Sequence, residues 1–209
     1  MTPLYPGPAY RICTPRLVIR CWEPTDASHL KAAVDENIEY LKPWLFWAYQ
    51  EPTSLKQRID WLRRARGRFD MDNDYGYGIF DSGEQRVLGG TGLHTRLGET
   101  AREIGYWIHK DYANQGLATE AAASLTRVAF EVDGVHRVEI HCDPNNHASA
   151  AVPRKLGFSL EATLGERLQK PDGSWRDTMI WTLFVKDYPD SICSKAEISA
   201  YDAANRQIV

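Results

Sequence analysis

The chain has 209 residues, of which 43% are hydrophobic, 25% charged and 11% aromatic. That length allows one sizeable core, and an apolar fraction of this size excludes wholesale disorder. Lys and Arg number 25 against 28 Asp and Glu, a formal charge of −3, which argues against a protein that coats nucleic acid backbone.

Residues 1–8 have neither a basic nor an apolar stretch and do not read as a secretion signal. No apolar run approaches the roughly 18 residues of a membrane helix, so a soluble chain is expected. Residues 16–22, β-branched and bracketed by Pro15 and Pro24, predict a first strand. Thr25 or Asp26 then opens a helix towards Asn37. Residues 40–47 are aromatic and broken by Pro43, which predicts a loop or short turn. Thr53 or Ser54 caps a second helix, with Leu55, Ile59 and Leu62 on one face.

From Tyr75 the pattern turns to strands, at 77–80, 87–97 and 103–108. Gly89-Gly90-Thr91-Gly92 lies inside the second and no helix follows it, so it marks a bulge or close approach rather than a phosphate loop. A helix over 116–132, a strand over 137–142 and a helix over 146–156 come next. A hairpin of 158–168 and 178–185 turns at 171–174. The order β-α-α-β-β-β-α-β-α-β-β predicts one mixed α/β domain. Residues 187–209 lie beyond the last strand, and 196–204 predict a marginal helix. Cys13, Cys21, Cys142 and Cys193 show no CxxC spacing, which points to reduced thiols in a cytoplasm and not to zinc.

The most informative stretch is His109-Lys110-Asp111-Tyr112-Ala113-Asn114-Gln115-Gly116-Leu117-Ala118-Thr119-Glu120, joining a strand to a helix. A glycine at such a turn lets the backbone approach a ligand, and the first helical N–H groups attract an anion. The bland alternative is an ordinary strand-to-helix connection.

This loop resembles the acyl-CoA-binding motif of the GNAT N-acetyltransferases, Gln/Arg-x-x-Gly-x-Gly/Ala. Residues 114–121 are similar to the branch that holds the ribosomal-protein N-terminal acetyltransferases. Three further segments match in order: Leu41-Lys42-Pro43-Trp44, residues 103–108, and Asn146-x-x-Ser149 with Lys155-Leu156-Gly157-Phe158. The resemblance covers about residues 10–186, leaving 187–209 as a C-terminal extension. It implies an α/β GNAT fold whose mixed, mostly antiparallel sheet is splayed at a cofactor cleft and flanked by helices.

The resemblance further implies acetyl-CoA as cosubstrate, without a metal. Backbone near Trp107, Ile108 and His109 would hold pantetheine, residues Asn114, Gln115, Gly116, Leu117, Ala118 and Thr119 the pyrophosphate, and Asn146 the pantetheine arm or its own helix cap. Glu103 is the candidate base, against an ion pair with Arg102 or Arg137. Ser149 is the candidate acid for the departing thiolate, against an ordinary first-turn serine. His94 and His141 could also serve as bases, but each is a lone histidine on an expected strand, where a satisfied or exposed side chain is the favoured reading. Trp44, Phe46 and Trp47 either wall the acceptor pocket or pack in a core or dimer contact. Ala113 departs from the motif, which leaves the backbone alone to hold phosphate. Pro153 inside the last helix predicts a kink, and that helix lacks the tyrosine that many relatives use as an acid.

The expected activity is acetyl transfer to a primary amine by direct attack. The expected acceptor is a protein or peptide N-terminal α-amine, as on a ribosomal protein, with no nucleic acid or membrane contact and with a homodimer allowed. A small-molecule amine (an aminoacyl nucleotide, polyamine or antibiotic) and a non-catalytic acyl-CoA-binding module are the alternatives. An acidic acceptor loop would favour polycations, and the aromatic 40–50 stretch does not.

Overall fold

A computed structural model describes residues 7–209. Its first strands are β1 (Arg11–Cys13) and β2 (Leu17–Cys21). Alternation along β2 sends Leu17, Ile19 and Cys21 into one core and Val18, with Trp22 beyond it, into another. Both faces are covered, which is why this segment reads as a nearly continuous apolar run.

Helices α1 (Ala27–Asp35), α2 (Ile38–Leu41) and α3 (Leu55–Asp70) follow. The expected turn at 40–47 is instead α2 with a 3-10 turn at Phe46–Gln50. Ser54 caps α3, accepting from the Gln57 N–H while the Gln57 side chain accepts from the Ser54 N–H. The buried face of α3 is Arg58, Leu62, Ala65 and Phe69, whereas Leu55 and Ile59 are exposed. A charge displaces the expected apolar stripe because Glu51 pairs with Arg58 at 2.5 Å and makes its burial affordable.

The remaining elements are β3 (Tyr75–Asp81), β4 (Val87–His94), β5 (Ala101–Ile108), α4 (Leu117–Glu131), β6 (Arg137–Cys142), α5 (His147–Leu156), β7 (Ser159–Gln169), β8 (Trp175–Phe184) and β9 (Ser199–Tyr201). The nine strands form one sheet in the order β7-β8-β6-β5-β4-β3-β2-β1-β9. Every neighbouring pair is antiparallel except β5 and β6. Helices α4 and α5 cover one face, and α1 with Leu62 of α3 packs on the other.

The short strands β1 and β9 were not among the expected elements. β9 stands where a marginal helix was expected: Ala200 pairs with Ile12 and is fully buried, so sheet edge wins over an isolated short helix. The helix does not break at Pro153, since α5 runs through it to Leu156. Proline removes the N–H that would reach the Ser149 carbonyl, and the Tyr106 hydroxyl donates to that carbonyl at 2.9 Å in its place. Gly157, at φ +85°, then ends the helix in the left-handed region.

One feature of the sheet positions the site. The parallel ladder of β5 and β6 pairs only Ala101–Ile104 with Arg137–Ile140. Beyond it the strands part, so residues 105–108 pair with β4 but have no partner on the β6 side.

Candidate active site

Three surfaces meet at the parting of β5 and β6. The first is the loop into α4. Asn114 (φ +59°) and Gly116 (φ +79°) are both left-handed, which turns the chain sharply into the helix. The first N–H to bond back along α4 is that of Glu120, to Gly116 at 3.0 Å. The N–H groups of residues 114–119 thus have no acceptor among the described residues, and they sit at the positive end of a 15-residue helix. Arg16 adds a cation that the loop sequence does not show. Its Nη1 donates to the Gln115 carbonyl at 2.9 Å, and its Nε to Glu120 at 2.6 Å. A cation absent at Ala113 thus stands beside the loop from the turn between β1 and β2, 97 residues away in sequence, where it is paired with Glu120.

The second surface is the inside of the splay. Asn146 caps α5, its Oδ1 accepting from the Ser149 N–H at 3.0 Å. The Ser149 hydroxyl lies 3.2 Å from the Tyr106 oxygen. Tyr106 has one hydrogen, and the Ser149 carbonyl takes it, so the serine hydroxyl is the donor of that second contact. A tyrosine absent from α5 is thus supplied by β5. Cys142 lies beside this pair, where burial pushes its thiol pKa up and away from the thiolate.

The third surface is a trough on the α1 and α3 side of the sheet. Gly76 is in register with Gly92, and Gly92 with Gly105; Gly78 is in register with Gly90, and Gly90 with Trp107. Five glycines across three strands make a floor of seats without Cβ atoms. Trp22 and Phe80 lie over Gly78, Trp107 over Gly90, and His94 over Gly92 and Gly105, the close approach expected of the Gly89–Gly92 segment, while Gly76 is open. A Cβ on Gly90 would stand 2.6 Å from the Trp107 indole nitrogen. Above this floor lies a cavity of about 680 Å³, walled by Trp47, Trp61 and Trp107, with Arg64 and Arg68 of α3 among its lining. Trp47 meets Trp107 edge to face at 6.2 Å between ring centres. Trp44 and Phe46 lie outside the lining and engage Arg176: its Nη1 donates to the Trp44 carbonyl, and its guanidinium stands 4.8 Å over the Phe46 ring.

Strand alternation puts Glu103, Gly105 and Trp107 on the trough face as expected, but Glu103 is not free. Both carboxylate oxygens bond to Arg96. Neither Arg102 nor Arg137 is the partner. Arg102 points the other way from its neighbour and binds Asp133 at 2.8 Å, and Arg137 binds Glu139 at 2.7 Å. Burial pushes the Glu103 pKa up, but Arg96 and His141 outweigh it and hold the carboxyl below its ordinary value. His141 is held as well, with Nε2 2.7 Å from Glu139 and Nδ1 3.6 Å from Glu103.

Comparison with known proteins decides the family. Residues 16–159 match the acetyltransferase (GNAT) domain. The chain belongs to the GNAT acetyltransferases. It is an N-acetyltransferase, 30% identical over 174 residues to YdaF of Bacillus subtilis (strain 168), covering 82% of this chain and 93% of that one. The [ribosomal protein uS5]-alanine N-acetyltransferase of Escherichia coli (strain K12) is 27% identical, over 87% of this chain and 94% of that enzyme. Among solved structures, the ribosomal L7/L12 α-N-protein acetyltransferase RimL in complex with coenzyme A superposes with a TM-score of 0.74 at 21% identity. That match covers 82% of this chain and 96% of RimL, and it supports the fold. The GNAT domain thus contains the loop, the splay and the trough together.

Proposed function

We propose that this acetyltransferase uses acetyl-CoA to acetylate the N-terminal α-amine of a protein or peptide by direct attack. The observation that carries this reading is the cavity lined by Gly105, Tyr106 and Trp107, the stretch of β5 beyond its pairing with β6, on a chain whose N–H groups at 114–119 are unbonded at a helix start. The donor set fits the cosubstrate. Six N–H groups and Arg16 suit a pyrophosphate, and the unpaired edge at 105–108 suits the amide groups of a pantetheine arm. Acetyl-CoA supplies an activated acyl carbon when bound.

This chain's own residues then orient the amine over the trough, exclude water with the tryptophan walls, and move protons. Ser149, in the first turn of α5, is the donor for a departing thiolate, its hydroxyl turning from the Tyr106 oxygen to the sulfur. A ping-pong route through an acetyl-cysteine is disfavoured, because burial keeps Cys142 in its thiol form.

Two observations favour a terminal α-amine over other amines. An α-amine with pKa of about 7.7–8.0 is roughly a quarter neutral near pH 7.4, whereas a lysine near 10.4 is only about 0.1% neutral. The cavity lining carries Arg58, Arg64, Arg68 and Arg96 against Glu51, Asp60 and Asp74, one positive charge in excess, which gives polyamines and aminoglycosides no acidic seat. The relatives that act on ribosomal proteins make a ribosomal-protein terminus the leading acceptor, in the cytoplasm, where free thiols such as the four here stay reduced. No helix among the described residues is long and apolar enough to cross a membrane.

The test is a panel of peptides starting with Ser or Ala, each with an internal lysine and either Asp or Lys at the third position, run beside spermine with labelled acetyl-CoA. Mass spectrometry should find label on the terminus, faster for the Asp peptides. Label on internal lysine or spermine with free termini untouched overturns the reading.

A further inference from the structure

His94 closes β4 one row beyond the glycines, in register with Glu103. Its Nδ1 lies 2.9 Å from Oδ1 of Asp74, the residue just before β3. The ring is laid over the trough. Its Nε2 is 2.8 Å from where a Cβ on Gly92 would stand and 3.3 Å from the same point on Gly105, and no polar atom among the described residues meets it. Only two glycines leave room for the imidazole there.

The pairing fixes the tautomer. Burial pushes the Asp74 pKa up, but the His94 contact, Arg68 and Arg96 outweigh it and leave the carboxyl below its ordinary value. Asp74 is thus an acceptor only, and the proton between the two belongs to His94 Nδ1. A neutral ring then carries its lone pair on Nε2, aimed at the cavity. The other basic groups nearby are committed: Glu103 gives both oxygens to Arg96, and His141 lies between Glu139 and Glu103. The charged groups around His94 are Asp74 before β3, Arg68 of α3, Arg96 after β4 and Glu103 of β5.

We propose that His94 accepts the proton from the attacking amine and that Asp74 is its positioning residue. The proposal rests on the reading of the cavity as the amine site. The acceptor ammonium gives one proton to Nε2, and its freed lone pair forms the C–N bond to the acetyl carbon. The C–S bond breaks with its electron pair on sulfur. The excess proton on the new amide nitrogen passes to that sulfur through Ser149 or water, and His94 returns its own proton to solvent. Glu103 then acts as the charge that holds Arg96 beside this pair, not as the base.

The test joins a readout in the free protein to a pH profile. Imidazole 15N NMR of the unliganded wild type should show neutral His94 protonated on Nδ1, a preference that Asp74→Asn abolishes. His94→Gln should lower kcat/KM by about 100-fold near pH 7, shrinking to within about threefold near pH 9.5, where a free α-amine is already neutral. Acetyl-CoA affinity by calorimetry should stay within about twofold. Asp74→Asn should give a smaller loss with the same pH trend. A wild-type ring protonated on Nε2, or a folded His94→Gln enzyme with the wild-type rate and profile, overturns the proposal. Running both peptides and small amines separates the two readings: failure on every peptide overturns only the acceptor class, while the tautomer and the small-amine profile still decide His94.

Discussion

At Glu103, two requirements compete for one carboxylate. A base must be free to take a proton, whereas a buried anion must be paired, and Arg96 satisfies the second requirement at the expense of the first. Its folded pKa lies below the unfolded value, so its contribution to stability is present above the unfolded carboxyl range and is lost as pH falls through the folded value. Glu103→Gln should cost about 1 kcal/mol at pH 7, kept small because Arg96 is 59% exposed and can turn to water. In urea titrations that difference should shrink towards pH 3, and a constant difference from pH 7 to 3 would remove the ion pair as its cause. The same variant should lose activity by a factor that does not change with pH, unlike His94→Gln. The sequence made Gly116, Asn146 and Ser149 legible because each acts within its own loop or helix turn. Arg16, Asp74, Arg96 and Tyr106 were not, since each works on a residue brought to it by the sheet.

At the level of elements, α5 keeps its proline by borrowing a donor from β5. The Ser149 carbonyl that Pro153 leaves without a partner is satisfied by Tyr106. Tyr106→Phe should therefore destabilise the fold by about 1 kcal/mol. In a Pro153→Ala background the restored N–H takes over, and the same change should cost less than half as much. A double-mutant cycle by urea unfolding measures this coupling, and strict additivity would show that Tyr106 does not replace the lost helix bond. Periodicity found α1, α3, α4 and α5 because each carries a buried stripe or cap over two or more turns. It misassigned the face of α3, where Arg58 is buried against Glu51, a residue outside the helix.

Across the whole molecule, the C-terminal extension completes the sheet. Three-residue strands such as β1 and β9 have no period to read, so their pairing was invisible in the sequence. Beyond β8, Cys193 and Ala200 are fully buried, and the Tyr188 hydroxyl donates to Glu131 at 2.6 Å. Ending the chain at residue 186 would expose β1 as a bare edge and open the flank of α4. A loss of about 3 kcal/mol, or roughly 6–12 °C in Tm, is expected for a chain of this size by calorimetry. An unchanged Tm would mark the extension as ornamental.

The four-rung ladder between β5 and β6 also makes the sheet a cracked plate, with the crack tip at Ile104 and Ile140. One wing carries β1 to β5 and β9, the other β6 to β8, and the unbonded loop belongs to the first wing. A linear ligand wedged into the crack would staple the wings. Backbone deuterium uptake should then slow on addition of acetyl-CoA in β6 and β8, far from the loop at 114–119. Slowing confined to that loop would mean that the wings are already locked without a ligand.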